Sequence, residues 1–303
     1  MKIVIAGGSG FLGRSLARIL AADAHELVIL TRRSTATTGR PRLVTWSPSG
    51  DAGPWASELD GAGAVVNLAG ESIAGARWSA AHKARILDSR VGATKSLVAA
   101  IRRAAAPPPV FVSGSAVGFY GPHGNEVVSE DHQAGDDFLA RVCVQWEHEA
   151  TRAASDRTRV VLVRTGLVLA ADGGALPQML FPFRLGVGGP VGSGRQYWPW
   201  IHRDDWAGLV RWTVATPAVS GPVNATAPNP VTNKAFAQAL GRTLHRPAFM
   251  PAPAFALRLL LGEMADALLL SGQRAVPAKA ERLGFTFRFA QVDDALGEIF
   301  SRS

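Results

Sequence analysis

A parallel α/β sheet covered by helices on both faces, with a smaller mixed domain beside it, is predicted by three observations. The chain opens on a short apolar run, Ile3-Val4-Ile5-Ala6. This leads directly into Gly7-Gly8-Ser9-Gly10-Phe11-Leu12-Gly13 and an apolar-periodic stretch to Leu20. Compact apolar runs then alternate with helical patterns to about residue 165, as a helix-covered parallel sheet requires. A chain of 303 residues with 47% hydrophobic content is large enough to bury such a sheet.

The first unit reads strand, glycine turn, helix, strand, the last being Glu26 to Thr31. This is the opening half of a Rossmann-type dinucleotide fold. A glycine in the turn tolerates positive φ, and a second lets backbone N–H groups reach a pyrophosphate. Gly13 lets the helix pack close to the sheet. Gly7, Gly10, Phe11, Leu12 and Gly13 are therefore candidate cofactor contacts. An Asp or Glu ending the second strand would accept from a ribose 2′-OH and repel a 2′-phosphate. This chain has Thr31, Arg32 and Arg33 there, whose donors and charge suit the phosphate, so NADP(H) is expected over NAD(H).

Further along, a short strand is expected around Leu43 to Trp46 and another over Ala64 to Leu68. A helix carrying Trp78, Ile86 and Val91 follows, and a second begins near Gly92 and stops before Pro107. Val110 to Ser113 and Val160 to Val163 read as strands flanking a helix from Phe138 to Ala154. Periodicity then fades across the glycines and prolines of residues 170 to 199. Trp206 to Ala215 is helical and Pro222 to Ala227 is one more strand. Helical runs at Asn233 to Leu240, Phe255 to Leu270 and Val292 to Phe300 complete the chain. The expected division is 1–165 as the nucleotide domain, with 200–227 returning to it, and 166–199 and 228–303 as the smaller substrate and C-terminal domain.

Composition narrows the function. The single cysteine, Cys143, rules out an internal disulfide and suits a reducing compartment, so a cytoplasmic location is expected. Glycines interrupt the first apolar run too early for a signal peptide, and no stretch reaches 18 apolar residues, so no membrane span is expected. The formal charge of +8 is scattered rather than striped, which favours an anionic small-molecule substrate over nucleic acid. No His or Cys spacing suggests a metal.

In an open parallel sheet, ligands lie over the carboxyl ends of the strands. Three stretches fall there. Asn67-Leu68-Ala69-Gly70-Glu71 offers Leu68, Ala69 and Gly70 as cofactor contacts, with Asn67 fixing the loop and Glu71 a substrate candidate or a solvated carboxylate. Ser113-Gly114-Ser115-Ala116-Val117-Gly118-Phe119-Tyr120-Gly121 offers Ser113 as a cofactor contact or loop cap. Ser115 is its candidate for orienting a substrate oxygen, and Tyr120 a donor at the pocket wall. Gly192 to Asp205 is dense in polar and aromatic groups. Gln196, Trp200 and His202 are its candidate pocket residues, His202 for proton transfer, with Asp204 or Asp205 orienting it or capping a helix.

Together these motifs, with Arg164-Thr165-Gly166-Leu167-Val168-Leu169 and Trp200 to Asp205, resemble an extended short-chain dehydrogenase/reductase. The tail residues Arg246-Pro247, Gly262-Glu263 and Gly284-Phe285 are similar to the small C-terminal domain of its atypical, nucleoside-diphosphate-sugar epimerase-like branch. The resemblance implies NADP(H) binding, a small carbonyl or hydroxyl substrate and, as in many relatives, a homodimer through the helices after residue 80. It also implies a Tyr-x-x-x-Lys pair, in which tyrosine is the acid/base and lysine lowers its pKa and holds the ribose. This chain departs there: Leu139 and Cys143 stand at those positions, and no Tyr-x-x-x-Lys occurs elsewhere. Ser115, Tyr120 and His202 are left as the catalytic candidates, with Glu71 as a further donor. The alternative is a non-catalytic NADP(H) sensor, in which Trp198, Trp200, Trp206 and Trp212 form a partner surface.

Overall fold

The computed structural model describes residues 1–32 and 41–301. In chain order the first elements are β1 (Lys2–Ala6), α1 (Phe11–Ala22), β2 (Glu26–Thr31), β3 (Arg42–Thr45), β4 (Ala64–Asn67), α2 (Ala80–Arg103) and β5 (Val110–Ala116). Next come β6 (Val127–Val128), α3 (Phe138–Thr151), β7 (Arg159–Thr165), β8 (Leu167–Leu169), α4 (Leu176–Arg184), β9 (Tyr197–Trp198), β10 (Trp200–His202) and α5 (Arg203–Ala215). The remainder is β11 (Gly221–Ala225), β12 (Val231–Thr232), α6 (Asn233–Leu244), α7 (Ala254–Leu261), α8 (Glu263–Ala265), β13 (Arg274–Ala275), α9 (Ala278–Arg282) and α10 (Val292–Ser301).

Seven strands form one parallel sheet in the order β11-β7-β5-β4-β1-β2-β3. The side-chain period of two sorts its residues between two cores. Ile3, Ile5 and Ile29 join Leu16 and Leu20 of α1 and Trp206 and Val210 of α5 on one face. Val4, Val28 and Leu30 join Ala93, Leu97 and Ile101 of α2 on the other. Chain order reverses direction across the sheet between β1 and β4, which opens the crevice where such sheets bind ligands.

Several elements differ from expectation. Residues 80–103 form one helix rather than two. Ser79 caps it by accepting from the His82 amide, and Arg102 and Arg103 sit at its negative end. A glycine costs a helix only ~1 kcal/mol, and burial of Ile86, Ala93, Leu97 and Ile101 carries the chain through Gly92. A helix, α4, lies within the glycine- and proline-rich stretch, with a proline in its first turn and Leu176, Leu180 and Phe183 buried. The expected run from Phe255 to Leu270 is broken at Gly262, whose φ of 64° ends α7; beyond α8 the turn Asp266–Leu270 is π-helical.

A third core joins Leu176, Phe183, Trp198, Trp200, Phe236, Leu240, Phe289, Leu296 and Ile299. Trp198, Trp200 and Trp206 are thus buried, and Trp212 packs on Phe285, so these tryptophans form no exposed partner surface. No helix among the described residues is long and apolar enough to cross a membrane.

Asp205 ties the third core to the sheet. From the first turn of α5 its buried carboxylate accepts from the Arg288 amide at 2.9 Å and the Phe289 amide at 2.8 Å. Asp205→Ala leaves both amides unpartnered and is expected to cost ~2–4 kcal/mol, measured by urea unfolding.

Candidate functional site

The strand ends line the crevice in order. Gly7 stands at φ +77°, and a Cβ there would lie 2.7 Å from the Leu68 carbonyl carbon. A Cβ on Gly13 would lie 2.4 Å from the Gly7 oxygen, so only glycine allows α1 to start this close to the turn. Gly10 donates its amide to Gly7 O at 3.0 Å and stands at the N-cap of α1 with no side-chain cap and no acid in the first turn. The first amides of α1, at Phe11, Leu12 and Gly13, precede any intrahelical partner and form an anion site. Gly173 and Gly174 pack on the Phe11 ring.

At the end of β2, Thr31 is buried and its carbonyl accepts from the Trp46 amide. Arg32 is exposed and lines a cavity of about 300 Å³ with Thr45, Trp46, Ser47, Pro48 and Ser49. Composition did not single out residues 45–49; they reach the site because β3 pairs with β2, placing Thr45 opposite Thr31. Arg33 lies outside the described residues.

At the end of β4, Asn67 fixes the loop. Its Nδ2 donates to Thr94 Oγ1 at 2.9 Å, and its Oδ1 accepts from the Ala69 amide at 3.1 Å. Leu68, Ala69 and Gly70 are left along the crevice, beside Gly7. Ser113 is the register neighbour of Asn67 on β5; it is fully buried and its Oγ donates to Gly114 O at 3.3 Å.

Past Ser113 the polar groups enter a buried network. Ser115 Oγ donates to Glu147 Oε1 at 2.6 Å. Arg164 donates to both Glu147 oxygens, Nε to Oε1 and Nη2 to Oε2, each at 2.9 Å. Its Nη1 donates to Tyr120 Oη at 3.0 Å and to the Glu130 carbonyl. Tyr120 Oη donates to Asn224 Oδ1 at 2.7 Å, and Glu130 Oε1 accepts from the Asn224 amide. The guanidinium also stacks 3.5 Å from the Phe119 ring centre.

Tyr120 is therefore not at a pocket wall. It is 1% exposed, its hydroxyl both donates and accepts inside the network, and burial pushes its pKa up to about 12. His202 is also interior, 3% exposed. Its Nδ1 caps α5 by accepting from the Asp204 amide at 3.1 Å, its Nε2 lies 3.1 Å from Glu298, and its ring packs on Phe289. Burial lowers its pKa, which favours the neutral, accepting ring that the cap needs. Gln196 Nε2 donates to the Val191 and Leu269 carbonyls, and Trp200 is in the third core, so the stretch from Gly192 to Asp205 packs inward rather than lining a pocket. Gln196 Nε2, His202 Nδ1 and the Asp205 carboxylate all bond main-chain groups. Arg164 and Asn224 had a visible signal, a charge and an amide inside largely apolar strands; Glu147, among other polar residues of α3, had none. No group of His, Cys, Asp and Glu among the described residues is placed to hold a metal.

Residues 3–225 match the NAD dependent epimerase/dehydratase family, and residues 252–299 match a domain of unknown function, DUF1731. The chain is 42% identical over 301 residues to epimerase family protein Mb2239 of Mycobacterium bovis, covering 99% of this chain and 98% of that one. It is 38% identical over 303 residues to epimerase family protein YfhF of Bacillus subtilis, with 99% and 98% covered. The crystal structure of human epimerase family protein SDR39U1 (isoform 2) with NADPH superposes with a TM-score of 0.91 at 37% identity, over 100% of both chains.

Two outcomes check the network. Arg164→Met strands the buried Glu147 carboxylate and is expected to destabilise by ~3–5 kcal/mol in denaturant unfolding. Cys143, on α3, is buried, with its thiol pushed up to about 12 chiefly by burial. It is expected to resist disulfide reagents at mildly alkaline pH in the folded protein and to react at once in guanidinium chloride.

Proposed function

The chain belongs to the NAD dependent epimerase/dehydratase family, and on that premise we propose that it binds NADP(H) and acts as an oxidoreductase or epimerase-like protein on a small carbonyl or hydroxyl metabolite. The observation that carries the proposal is the cavity after β2, where Arg32 stands in place of an acid. The relative crystallised with NADPH supports the same cofactor.

The residues present fit the dinucleotide. The first amides of α1 would hold the pyrophosphate, Arg32 the 2′-phosphate, and Leu68, Ala69, Gly70 and Ser113 the far half. We include Arg33 with Arg32, on its place in the sequence. When bound, the nicotinamide supplies or accepts a hydride at the substrate carbon. Ser115 has a defined direction: because Glu147 takes its proton, its lone pairs are left to accept from a substrate hydroxyl. Tyr120 and His202 serve as structural donors and acceptors, which leaves Glu71, half-buried at the rim, as the carboxylate candidate for proton transfer.

A second reading, a non-catalytic NADP(H) sensor, is favoured by one observation: Tyr120 and His202 are both committed to internal hydrogen bonds. Residues 166–199 and 228–303 form the substrate-side unit in either case. A cytoplasmic location and a homodimer through α2 complete the proposal.

Titration with NADPH and NADH is the test. NADPH is expected to bind about tenfold tighter or better, a difference of ~1.4 kcal/mol, and Arg32→Ala is expected to remove most of that preference. Equal affinities in the parent protein sink the cofactor assignment. Turnover of a carbonyl panel that Ser115→Ala abolishes favours the enzyme; binding without turnover favours the sensor.

A further inference from the structure

Arg90 is a largely buried charge on which the Glu71 carboxylate acts only from beyond contact distance, and it forms no ion pair among the described residues. It lies on α2, 9% exposed, and its Nη1 donates to two main-chain carbonyls, Glu71 O at 2.9 Å and Ile86 O at 3.0 Å. Among the described residues no carboxylate stands within ion-pair distance of it, and only its Nη1 makes hydrogen bonds. A guanidinium stays protonated in proteins. Its unbonded donors are not sealed from solvent, so they stand open to a group that a ligand brings.

Its place in the fold says which group. Thr94 Oγ1 donates to the Arg90 carbonyl and accepts from Asn67, which pins this turn of α2 to the end of β4. A Cβ on Gly70 would lie 3.1 Å from the guanidinium carbon, so Arg90 sits directly against the loop that lines the crevice. Across the sheet, β2 carries Arg32, β1 the glycine turn, and β4 the Gly70 loop. Arg90 is thus on the opposite side of the pyrophosphate site from Arg32. On its other side it stands 5.3 Å from the Trp146 ring centre on α3, and its charge acts on Cys143 one turn away on that helix. Position 143 is where the family resemblance places the ribose-holding lysine.

We propose that Arg90 supplies, from the neighbouring helix, the cation that position 143 lacks, and that its guanidinium holds the nicotinamide-side ribose of the bound dinucleotide. This rests on the NADP(H) assignment above. The two free donors of the guanidinium give it the capacity to bond a pair of ribose hydroxyls. Arg90 acts here as a binding and positioning residue; no proton leaves it.

The experiment compares NADPH with adenosine 2′,5′-bisphosphate, a probe that ends before the second ribose. Arg90→Met is expected to weaken NADPH about tenfold and to leave the bisphosphate within about twofold, while Arg90→Lys recovers part of the loss. Thermal unfolding of the ligand-free variants establishes that they fold; where Arg90→Met does not, Arg90→Gln carries the same comparison. Equal changes on both probes, no change on NADPH, or a loss that Arg90→Lys does not lessen overturns the proposal. Failure of the parent protein to bind NADPH is a different result, and it removes the cofactor assignment instead.

Discussion

The bidentate pair between Arg164 and Glu147 holds the centre of this molecule. Arg164 lies within β7 and Glu147 on α3, both nearly excluded from water. Two buried charges are stable together only when their remaining hydrogen-bonding capacity is also met. Here Ser115, Tyr120, Phe119 and the Glu130 carbonyl complete the set, and Tyr120 passes the connection to Asn224 on β11. Glu130 in turn accepts from the amides of Asn224 and Lys279, which brings in the C-terminal segment. One network therefore joins β5, α3, β7, β11 and the tail.

At the positions where the family resemblance places the tyrosine and lysine, α3 carries Leu139 and Cys143, while Glu147 on the same helix pairs inward with Arg164. The glycine turn and the first amides of α1 are backbone features, so they do not depend on the side chains of α3.

The sheet and the close-packed glycine turn were legible in the sequence. A strand buried on both faces must be apolar throughout, and Gly7 and Gly13 are positions where a Cβ would strike backbone. The errors had local causes. Gly92 looked like a boundary because propensity was weighed without the packing that overrides it, and α4 was missed because its apolar positions stand among prolines. The stretch from Gly192 to Asp205 looked like a pocket because polar and aromatic residues cluster there; its polar atoms are instead spent on β9, β10 and the cap of α5.

The sequence alone determined the strand–turn–helix unit, the absence of an acid at the end of β2 and the loss of the Tyr-x-x-x-Lys pair. Each depends on neighbouring residues and the local geometry they enforce. Only the tertiary structure decided what Tyr120, His202 and Arg164 do. A hydroxyl, an imidazole and a guanidinium take their role from the group opposite, and that group is far off along the chain: Tyr120 meets Asn224 across 104 residues, and His202 meets Glu298 across 96. Pattern and propensity report on near neighbours, whereas burial and hydrogen-bond partnership are settled by which elements the sheet and its covering helices bring side by side.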